Sequence, residues 1–450
     1  MEPFPHHIFV CTQPKPEGVT NCPANGAWSV LAALERELLA QGLDNDVQLS
    51  TCGCLGLCDE GPILIVYPEG IWYRKVREAD VPEIVSGHLR NGKIVDRLAW
   101  TDAAAMKAMS TEHRDHFRAM LKAREQAGIL PDDLNETIRG FMPSRAILTA
   151  LELDIFSAVG GGATIERVAQ KIHADSRSTE MLLNVLVSLH LLDKCGDTFR
   201  NTPTAARFFV EGSPDNARTA LLHTANLWDR WSTLTDAVRS GTSVAARTRD
   251  QRGVVSFIAA MDRNAKERAD TVVRAVTPNG VRRMLDLGGG SGAYSIAFAE
   301  ANPDLHSEVM DLAEVIPITQ GHIRHAGLTD RISTRVGDML HDPLGERYDL
   351  VLLSAICHMF SVEENRALFE RVYRALVPGG RFVVQDFILE PDKTSPRFAT
   401  LFALNMLVGT RAGSTYSEPE YASWLHDAGF DEFRRVHLPG PAHLMLATRP

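Results

Sequence analysis

The stretch Met284-Leu-Asp-Leu-Gly-Gly-Gly-Ser-Gly-Ala293 decides the fold class of the C-terminal part of the chain. Its first residues predict a buried strand, and an apolar helix follows as far as Asn302. Glycine is needed where a strand turns sharply into a helix and a ligand approaches the bare backbone beside the free N–H groups of that helix. The glycines at this turn are Gly288, Gly289, Gly290 and Gly292. Their G-x-G-x-G spacing differs from the G-x-G-x-x-G spacing of dinucleotide folds.

Two further features follow in the order expected of a nucleotide fold. Asp311 closes the next apolar strand, where such folds place the acid that binds ribose hydroxyls, and Gly337-Asp338-Met339 ends a third strand. Together with the turn, they resemble class I S-adenosylmethionine-dependent methyltransferases; a doubly wound domain for another nucleotide is the alternative. The resemblance implies that Gly288 and Gly290 approach the methionine end of S-adenosylmethionine, that Asp311 holds the ribose and that Asp338 and Met339 border the adenine. Asp286 and Gly292 complete the implied cofactor site.

Bulk properties predict a soluble globular protein rather than a nucleic-acid or membrane protein. The 450 residues suggest two to four domains, and the formal net charge of −10 argues against a general nucleic-acid surface. No apolar run approaches a membrane-spanning length, and the first residues lack the features of a signal peptide. We therefore expect a cytoplasmic location, where cysteines are more often metal ligands than disulfides.

Residues 1–98 predict a small α/β domain that carries a cysteine cluster. Five of the seven cysteines lie in the first 58 residues, with the spacing C-x10-C and then C-x-C-x3-C, and they fall on loops at the ends of predicted strands. Soft thiolates gathered in this way suit an iron–sulfur cluster or zinc. Zinc would more usually show two C-x2-C pairs, but it stays an alternative occupant.

The segment Cys54-Leu-Gly-Leu-Cys58, with the Asp59–Tyr73 stretch that follows it, resembles thioredoxin-like 2Fe–2S ferredoxins. The resemblance covers nearly all of residues 1–98. It implies a 2Fe–2S cluster and a possible electron-transfer partner. The implied ligands are Cys11, Cys22, Cys54 and Cys58. Cys52 is an extra thiol that could replace Cys54.

Residues 99–130 predict a helical linker, and residues 131–270 predict a helical domain with a small β-hairpin, in the order of a winged helix. A winged helix either enters a DNA groove or dimerises. Few basic residues lie near the presumed recognition helix, which disfavours DNA. The domain resembles the dimerisation domain of plant-type small-molecule O-methyltransferases, which implies a homodimer. Candidate pocket residues of this domain are Trp228, Trp231, Met261 and Asn264.

Residues 271–450 predict an open, Rossmann-like sheet covered by helices on both faces, with ligands beyond the carboxyl ends of its strands. At that edge, Leu352-Leu-Ser-Ala-Ile-Cys-His-Met-Phe360 resembles the catalytic segment of the plant-type enzymes, which implies His358 as the general base. Ser354 stands where those enzymes tend to have a basic residue that touches the cofactor. Asp386 and Glu418 are the candidate acids that orient the histidine. Asn405 and Met406 belong to a helix expected to face the acceptor.

The sequence thus predicts an α/β protein with three domains: a thioredoxin-like ferredoxin domain, a winged-helix dimerisation domain and a methyltransferase domain. The first hypothesis is methyl transfer to a hydroxyl, or another nucleophile, of a small-molecule acceptor, with the cluster delivering electrons, gating activity or docking a reductase. The second is a redox enzyme in which S-adenosylmethionine does not methylate. The third is a redox-sensing winged-helix regulator. The identity of the acceptor does not follow from the sequence.

Overall fold

The computed structural model describes residues 3–15, 19–245 and 251–450. It divides into two compact units, Met1–Gly140 and Phe141–Pro450. The predicted linker helix and residues 131–140 of the predicted dimerisation segment therefore belong to the first unit, while the rest of that segment and the predicted methyltransferase segment form the second. Among the described residues, the helices are all too short or too polar to cross a membrane.

The first unit is built on a four-stranded sheet in the order β2-β1-β3-β4. β1 pairs parallel to β2 and antiparallel to β3, so that Cys11 at the end of β1 lies in register with Cys52 at the end of β2. A core that includes Ile8, Val10 and Leu34 joins the sheet to its helices. The elements are β1 (His6–Cys11), α1 (Ala27–Ala40), β2 (Val47–Cys52), β3 (Leu64–Tyr67), β4 (Ile71–Tyr73), α2 (Val81–Glu83) with a π-helical continuation (Ile84–Arg90), α3 (Ala103–Gln126) and α4 (Asp132–Arg139).

The second unit begins with helices that carry the predicted winged-helix order. The hairpin β5–β6 follows α8, and Phe156, Leu183 and Phe199 form a buried core with their neighbours. Apolar side chains nevertheless stay exposed on the first helices of the domain, including Met142 and Met181. The elements are α5 (Phe141–Glu152), α6 (Ile155–Val159), α7 (Ile165–Lys171), α8 (Ser176–Ser188), β5 (Leu192–Cys195), β6 (Thr198–Asn201), α9 (Pro203–Phe209), α10 (Arg218–Trp231), α11 (Leu234–Ser240) and α12 (Gln251–Val276).

A seven-stranded sheet in the order β12-β13-β11-β10-β7-β8-β9 forms the rest of the unit. Only β13 runs antiparallel to β11 and β12; the pairs from β11 to β9 are parallel. One apolar core covers each face. The elements are β7 (Arg283–Leu287), α13 (Ala293–Ala301), β8 (His306–Asp311), α14 (Ile316–His325), β9 (Ile332–Val336), β10 (Tyr348–Ser354), α15 (Val362–Ala375), β11 (Leu376–Asp386), α16 (Arg397–Gly409), α17 (Glu418–Asp427), β12 (Asp431–Val436) and β13 (His443–Thr448).

The strand order places a topological switch between β7 and β10, because the chain proceeds outward in opposite directions from these neighbours. Ligands of open parallel sheets bind at such a switch, beyond the carboxyl ends of the strands. The predicted alternation of strands and helices agrees with this sheet. One local difference is that Pro378-Gly-Gly380, predicted as a turn before a strand, lies inside β11, where the pairing with β10 shifts register between Tyr348 and Leu350.

Candidate functional site

The glycine turn after β7 leaves open space above its backbone. Gly288, Gly290 and Gly292 have φ angles of 66°, 58° and 78°, which L side chains rarely adopt. A Cβ at Gly288 would lie 2.6 Å from Ile356 Cδ1, whereas a Cβ at Gly290 would meet nothing nearer than Ile258 Cδ1 at 4.0 Å. The turn therefore packs tightly at Gly288 and forms an open cradle at Gly290.

Asp286 supports this turn from below. Its side chain is fully buried, Ser295 Oγ donates to its Oδ2 at 2.8 Å, and among the described residues its Oδ1 has no hydrogen-bond partner. Burial, and then the charge of Asp311, raises the pKa of Asp286 to about 6. A Cβ on Gly289 would overlap this carboxylate, so that Asp286 packs directly against the turn.

Replacing Asp286 with asparagine should change how stability depends on pH. The folded-state pKa is raised from 3.8 to about 6. The contribution of Asp286 to the free energy of unfolding is therefore fully present below pH 4 and is lost as the pH rises through 6. The loss amounts to about 3 kcal/mol. Asparagine does not titrate, so the variant does not show this loss when both proteins are measured without ligand. Its free energy of unfolding should therefore increase relative to that of the parent protein between pH 4 and pH 7. Urea unfolding of both proteins across this range checks the prediction, and a constant difference would contradict it.

The remaining predicted cofactor residues lie at the same edge of the sheet. Asp311 accepts hydrogen bonds from the Gly290 and Leu312 N–H groups at 2.8 and 2.7 Å, while burial raises its pKa. The methyl carbon of Met339 would lie 2.9 Å from a Cβ on Gly288. The Asp338 carboxylate accepts a hydrogen bond from the Leu340 N–H group. The structure thus brings Asp311 and Met339 to the glycine turn.

Ser354, at the end of β10, takes part in a hydrogen bond rather than offering a charge. Its Oγ donates to Gln385 Oε1 at 2.7 Å. Gln385 Nε2 is buried without a partner among the described residues. This arrangement therefore keeps one amide donor available near the carboxyl end of β10.

His358 and Asp386 form a buried pair beyond β10 and β11. His358 Nδ1 lies 2.7 Å from Asp386 Oδ1, and the His358 backbone N–H donates to Asp386 Oδ2 at 3.1 Å. The side chains are 8% and 1% exposed, so water hardly competes with this contact. The acid fixes the ring, and Nε2 is left as the nitrogen that does not face it.

Glu418, the other acid considered, lies in a different environment. Its carboxylate is 3.5 Å from Arg435 Nη1, which also pairs with Glu390 at 3.0 Å. The fold therefore brings Asp386, and not Glu418, to the histidine. Sequence reasoning missed Tyr421, a buried side chain whose pKa is raised by burial and then by the charge of the nearby Asp386. A lone tyrosine on an amphipathic helix carries no signal that distinguishes this role from core packing.

Aromatic side chains surround the histidine. Phe387 stacks on its ring with centroids 5.8 Å apart, and Phe402 of α16 meets it edge-on at 4.8 Å. One turn further along α16, Asn405 Oδ1 accepts a hydrogen bond from Trp231 Nε1 at 2.9 Å. Two of the predicted pocket residues, Trp231 and Asn405, are thus in contact and connect α10 to α16. His358 thus lies in an aromatic, apolar environment.

Comparison with known proteins identifies the family. Residues 231–431 match the O-methyltransferase domain, and residues 135–211 match the O-methyltransferase dimerisation domain. A 3-hydroxy-5-methyl-1-naphthoate 3-O-methyltransferase of Streptomyces sahachiroi is 32% identical over 323 residues, which cover 69% of this chain and 92% of that protein.

This chain belongs to the O-methyltransferase family.

Two other relatives support the assignment. The tetracenomycin polyketide synthesis 8-O-methyl transferase of Streptomyces glaucescens is 30% identical over 71% of this chain and 97% of its own length. The crystal structure of human N-acetylserotonin methyltransferase in complex with SAM superimposes with a TM-score of 0.63 and 28% identity, over 70% of this chain and 96% of that chain. The protein is thus an S-adenosylmethionine-dependent methyltransferase with S-adenosylmethionine as the methyl donor. Residues 1–134 lie outside both matched domains.

The N-terminal unit of this O-methyltransferase gathers its cysteines into two pairs. Cys54 Sγ and Cys58 Sγ are 3.6 Å apart, and the Cys22 thiol is hydrogen-bonded to Cys11. That bond, followed by bonds from the Leu55 and Gln13 N–H groups, lowers the pKa of Cys11 to about 6. All of these thiols are free. Cys52 lies outside both pairs, and burial raises the pKa of its thiol to about 11.

The loop around the second pair is shaped by backbone donors and glycines. The Gly56 N–H donates to Cys54 Sγ at 3.3 Å. The pKa of Cys54 is lowered to about 5, first by the hydrogen bond from the Cys58 thiol and then by the Gly56 N–H group and the charge of Lys15. A Cβ on Gly61 would lie 2.6 Å from Cys22 Sγ. Thiolates are the ligands that soft metals prefer, and backbone N–H groups that donate to sulfur stabilise them.

Proposed function

We propose that this protein methylates a hydroxyl group on a small aromatic acceptor, with His358 as general base and Asp386 as the acid that orients it. The observation that carries the proposal is the buried His358–Asp386 contact of 2.7 Å at the carboxyl edge of the sheet that bears the glycine turn. S-adenosylmethionine, when bound, supplies an activated methyl group on a sulfonium. The Gly290 cradle, Asp311 and Met339 are the residues that would hold it.

The residues of the chain supply deprotonation and alignment. A phenol near pKa 10 is a poor nucleophile until its proton leaves, and imidazole is the side chain that accepts protons near neutral pH. Asp386 engages Nδ1 of His358, which leaves Nε2 to take the proton of the acceptor. Positive charge on the imidazolium is then stabilised by the buried carboxylate. Such general-base help contributes about 10²–10⁴-fold, and alignment by the pocket supplies much of the rest.

An aromatic acceptor is supported by the side chains around the base and by the relatives. Phe387 and Phe402 present flat apolar surfaces to His358, and Trp231 contacts Asn405 one turn along α16 from Phe402. The two Streptomyces relatives are named for methylation of a naphthoate and of a polyketide. The test is to incubate the protein with S-adenosylmethionine and a panel of hydroxylated naphthoates, and to identify methyl ethers by mass spectrometry.

Replacing Gly290 with alanine should weaken S-adenosylmethionine binding at least tenfold, because the new Cβ enters the open cradle. The matched control is Gly327→Ala: both glycines have positive φ, at 58° and 70°, and neither has a close neighbour. Both variants should therefore lose a similar amount of stability, about 1 kcal/mol. Calorimetric titration with S-adenosylmethionine separates the two effects. Equal affinities in the two variants would show that the cradle does not hold the donor.

We also propose that the protein is a homodimer. The matched dimerisation domain supports this, and so does an apolar groove of 480 Å³ on that domain. Phe141 and Met142, which line it, are 53% and 55% exposed. Exposed apolar patches of this kind mark protein–protein contacts.

For the N-terminal unit, we propose a thioredoxin-like 2Fe–2S ferredoxin module with Cys11, Cys22, Cys54 and Cys58 as ligands and an electron-transfer protein as its partner. Tetrahedral coordination at about 2.3 Å places two sulfurs on one metal about 3.8 Å apart. The Cys54–Cys58 distance of 3.6 Å agrees with this value. A single zinc would need all four sulfurs equally close. Among the described residues, no four cysteine sulfurs lie within 4.8 Å of one another. Two separate pairs instead suit one iron each.

A further inference from the structure

Helix α3 packs against the cysteine loop of its own unit. Ser110 Oγ donates to the Leu55 carbonyl oxygen at 3.0 Å. A Cβ on Gly56, whose φ is 79°, would lie 2.6 Å from Ser110 Oγ, so only glycine allows the loop to approach the helix this closely. Met106 and Met109 pack on the core of the unit. These residues follow one another at helical spacing, and α3 therefore presents one face to the loop.

Lys15 links this helix face to the cysteines. Its Nζ donates to His113 Nε2 at 2.5 Å and lies 4.2 Å from the centre of the Phe117 ring. The positive charge of Lys15 is close enough to Cys54 to contribute to the lowering of its pKa. Cys54, Cys58 and His113 each place a ligand atom within 4.8 Å of the others. The ammonium group is therefore held by two side chains of α3 at the edge of the Cys54–Cys58 pair.

We propose that α3 forms the outer wall of the cluster site and that Lys15, held by His113 and Phe117, raises the reduction potential of the bound cluster. This inference rests on the proposed 2Fe–2S module. Reduction adds one negative charge to the cluster, and a fixed positive charge near its ligands stabilises that state. Hydrogen bonds and net charge near the sulfurs are known determinants of cluster potentials.

The same coupling acts on the helix. If docking of α3 favours the reduced cluster, reduction must favour docking of α3 by the same factor. Reduction of the cluster should therefore increase the order of the part of α3 that faces the cysteine loop, residues 106–117.

The primary experiment is a redox titration of the full-length, cluster-loaded protein followed by visible absorbance, with Lys15→Gln compared with the parent protein. We expect the equilibrium constant for reduction to fall about tenfold, a shift of about 59 mV to lower potential. Lys122→Gln is the matched control. It removes the same charge from an exposed position about 13 Å along α3 from His113, beyond the Debye length at physiological salt, and should leave the potential unchanged.

Two further measurements keep the outcomes separate. Lys15→Arg retains the charge and should retain the parent potential. Hydrogen exchange of residues 106–117 in the parent protein should slow about tenfold on reduction with dithionite. A colourless parent protein would reject the cluster itself, and the inference with it. A coloured protein with the same potential in Lys15→Gln, or with equal exchange in both oxidation states, would overturn the role of α3 alone.

Discussion

Replacing His358 with alanine is expected to lower kcat for methyl transfer by about 10²–10⁴-fold. The imidazole is nearly buried and contacts Asp386 through Nδ1, while the backbone N–H of His358 donates to the same carboxylate, so removing the ring deletes the proton acceptor without touching the glycine turn. S-adenosylmethionine affinity should therefore stay within about threefold of the parent value. Steady-state kinetics of methyl ether formation from a hydroxylated aromatic acceptor measure kcat, and calorimetric titration with S-adenosylmethionine measures the affinity.

Two acid variants sharpen this test. Asp386→Asn keeps the shape of the side chain but removes the charge that stabilises the imidazolium, so it should also lower kcat strongly, by about 10²-fold or more. Glu418→Gln is the control, because this acid pairs with Arg435 instead. It should leave kcat within about twofold of the parent value. Full activity of His358→Ala, or equal losses in the two acid variants, would reject His358 as the base.

The second large effect concerns the cysteine pairs. Cys22→Ser and Cys58→Ser should each abolish the visible absorbance of the anaerobically purified protein, since each removes one thiolate from an iron that has only two protein ligands in the proposed arrangement. Iron and sulfide analysis should show the same loss.

Cys52→Ser and Cys195→Ser are the controls for this experiment. Cys52 lies outside both pairs, and Cys195 is an exposed thiol on β5 of the second unit. Both variants should keep the colour and the iron content of the parent protein. A colourless parent protein that contains one zinc per chain would contradict the cluster assignment, and loss of colour in Cys52→Ser would show that Cys52 is a ligand.

The sequence was sufficient to predict the elements that depend on local chemistry. The glycine turn, the strand ending at Asp311 and the His358 segment carry signals in residue type and spacing, and the structure places them at one edge of the sheet. The choice between Asp386 and Glu418 could not be predicted, because both acids come after His358 in the sequence. Only the pairing of β10 with β11 in the fold shows that Asp386 lies beside the histidine. Tyr421 was missed for the same reason.

The role of α3 was also beyond sequence reasoning. Its sequence is charged and rich in Ala and Met, without proline, which predicts a linking helix. Its contacts with the cysteine loop instead depend on Ser110 and His113, polar residues that carry no hydrophobic periodicity. Such contacts are decided by tertiary packing, and the glycine at position 56 acquires its meaning only beside the helix.

The most direct test of the proposed chemistry is the ratio of S-adenosylhomocysteine to methyl ether formed from a hydroxylated aromatic acceptor by the full-length protein. The account predicts one molecule of S-adenosylhomocysteine for each methyl ether, with both products lost together in His358→Ala. An acceptor that is oxidised or reduced while S-adenosylmethionine stays intact would contradict it.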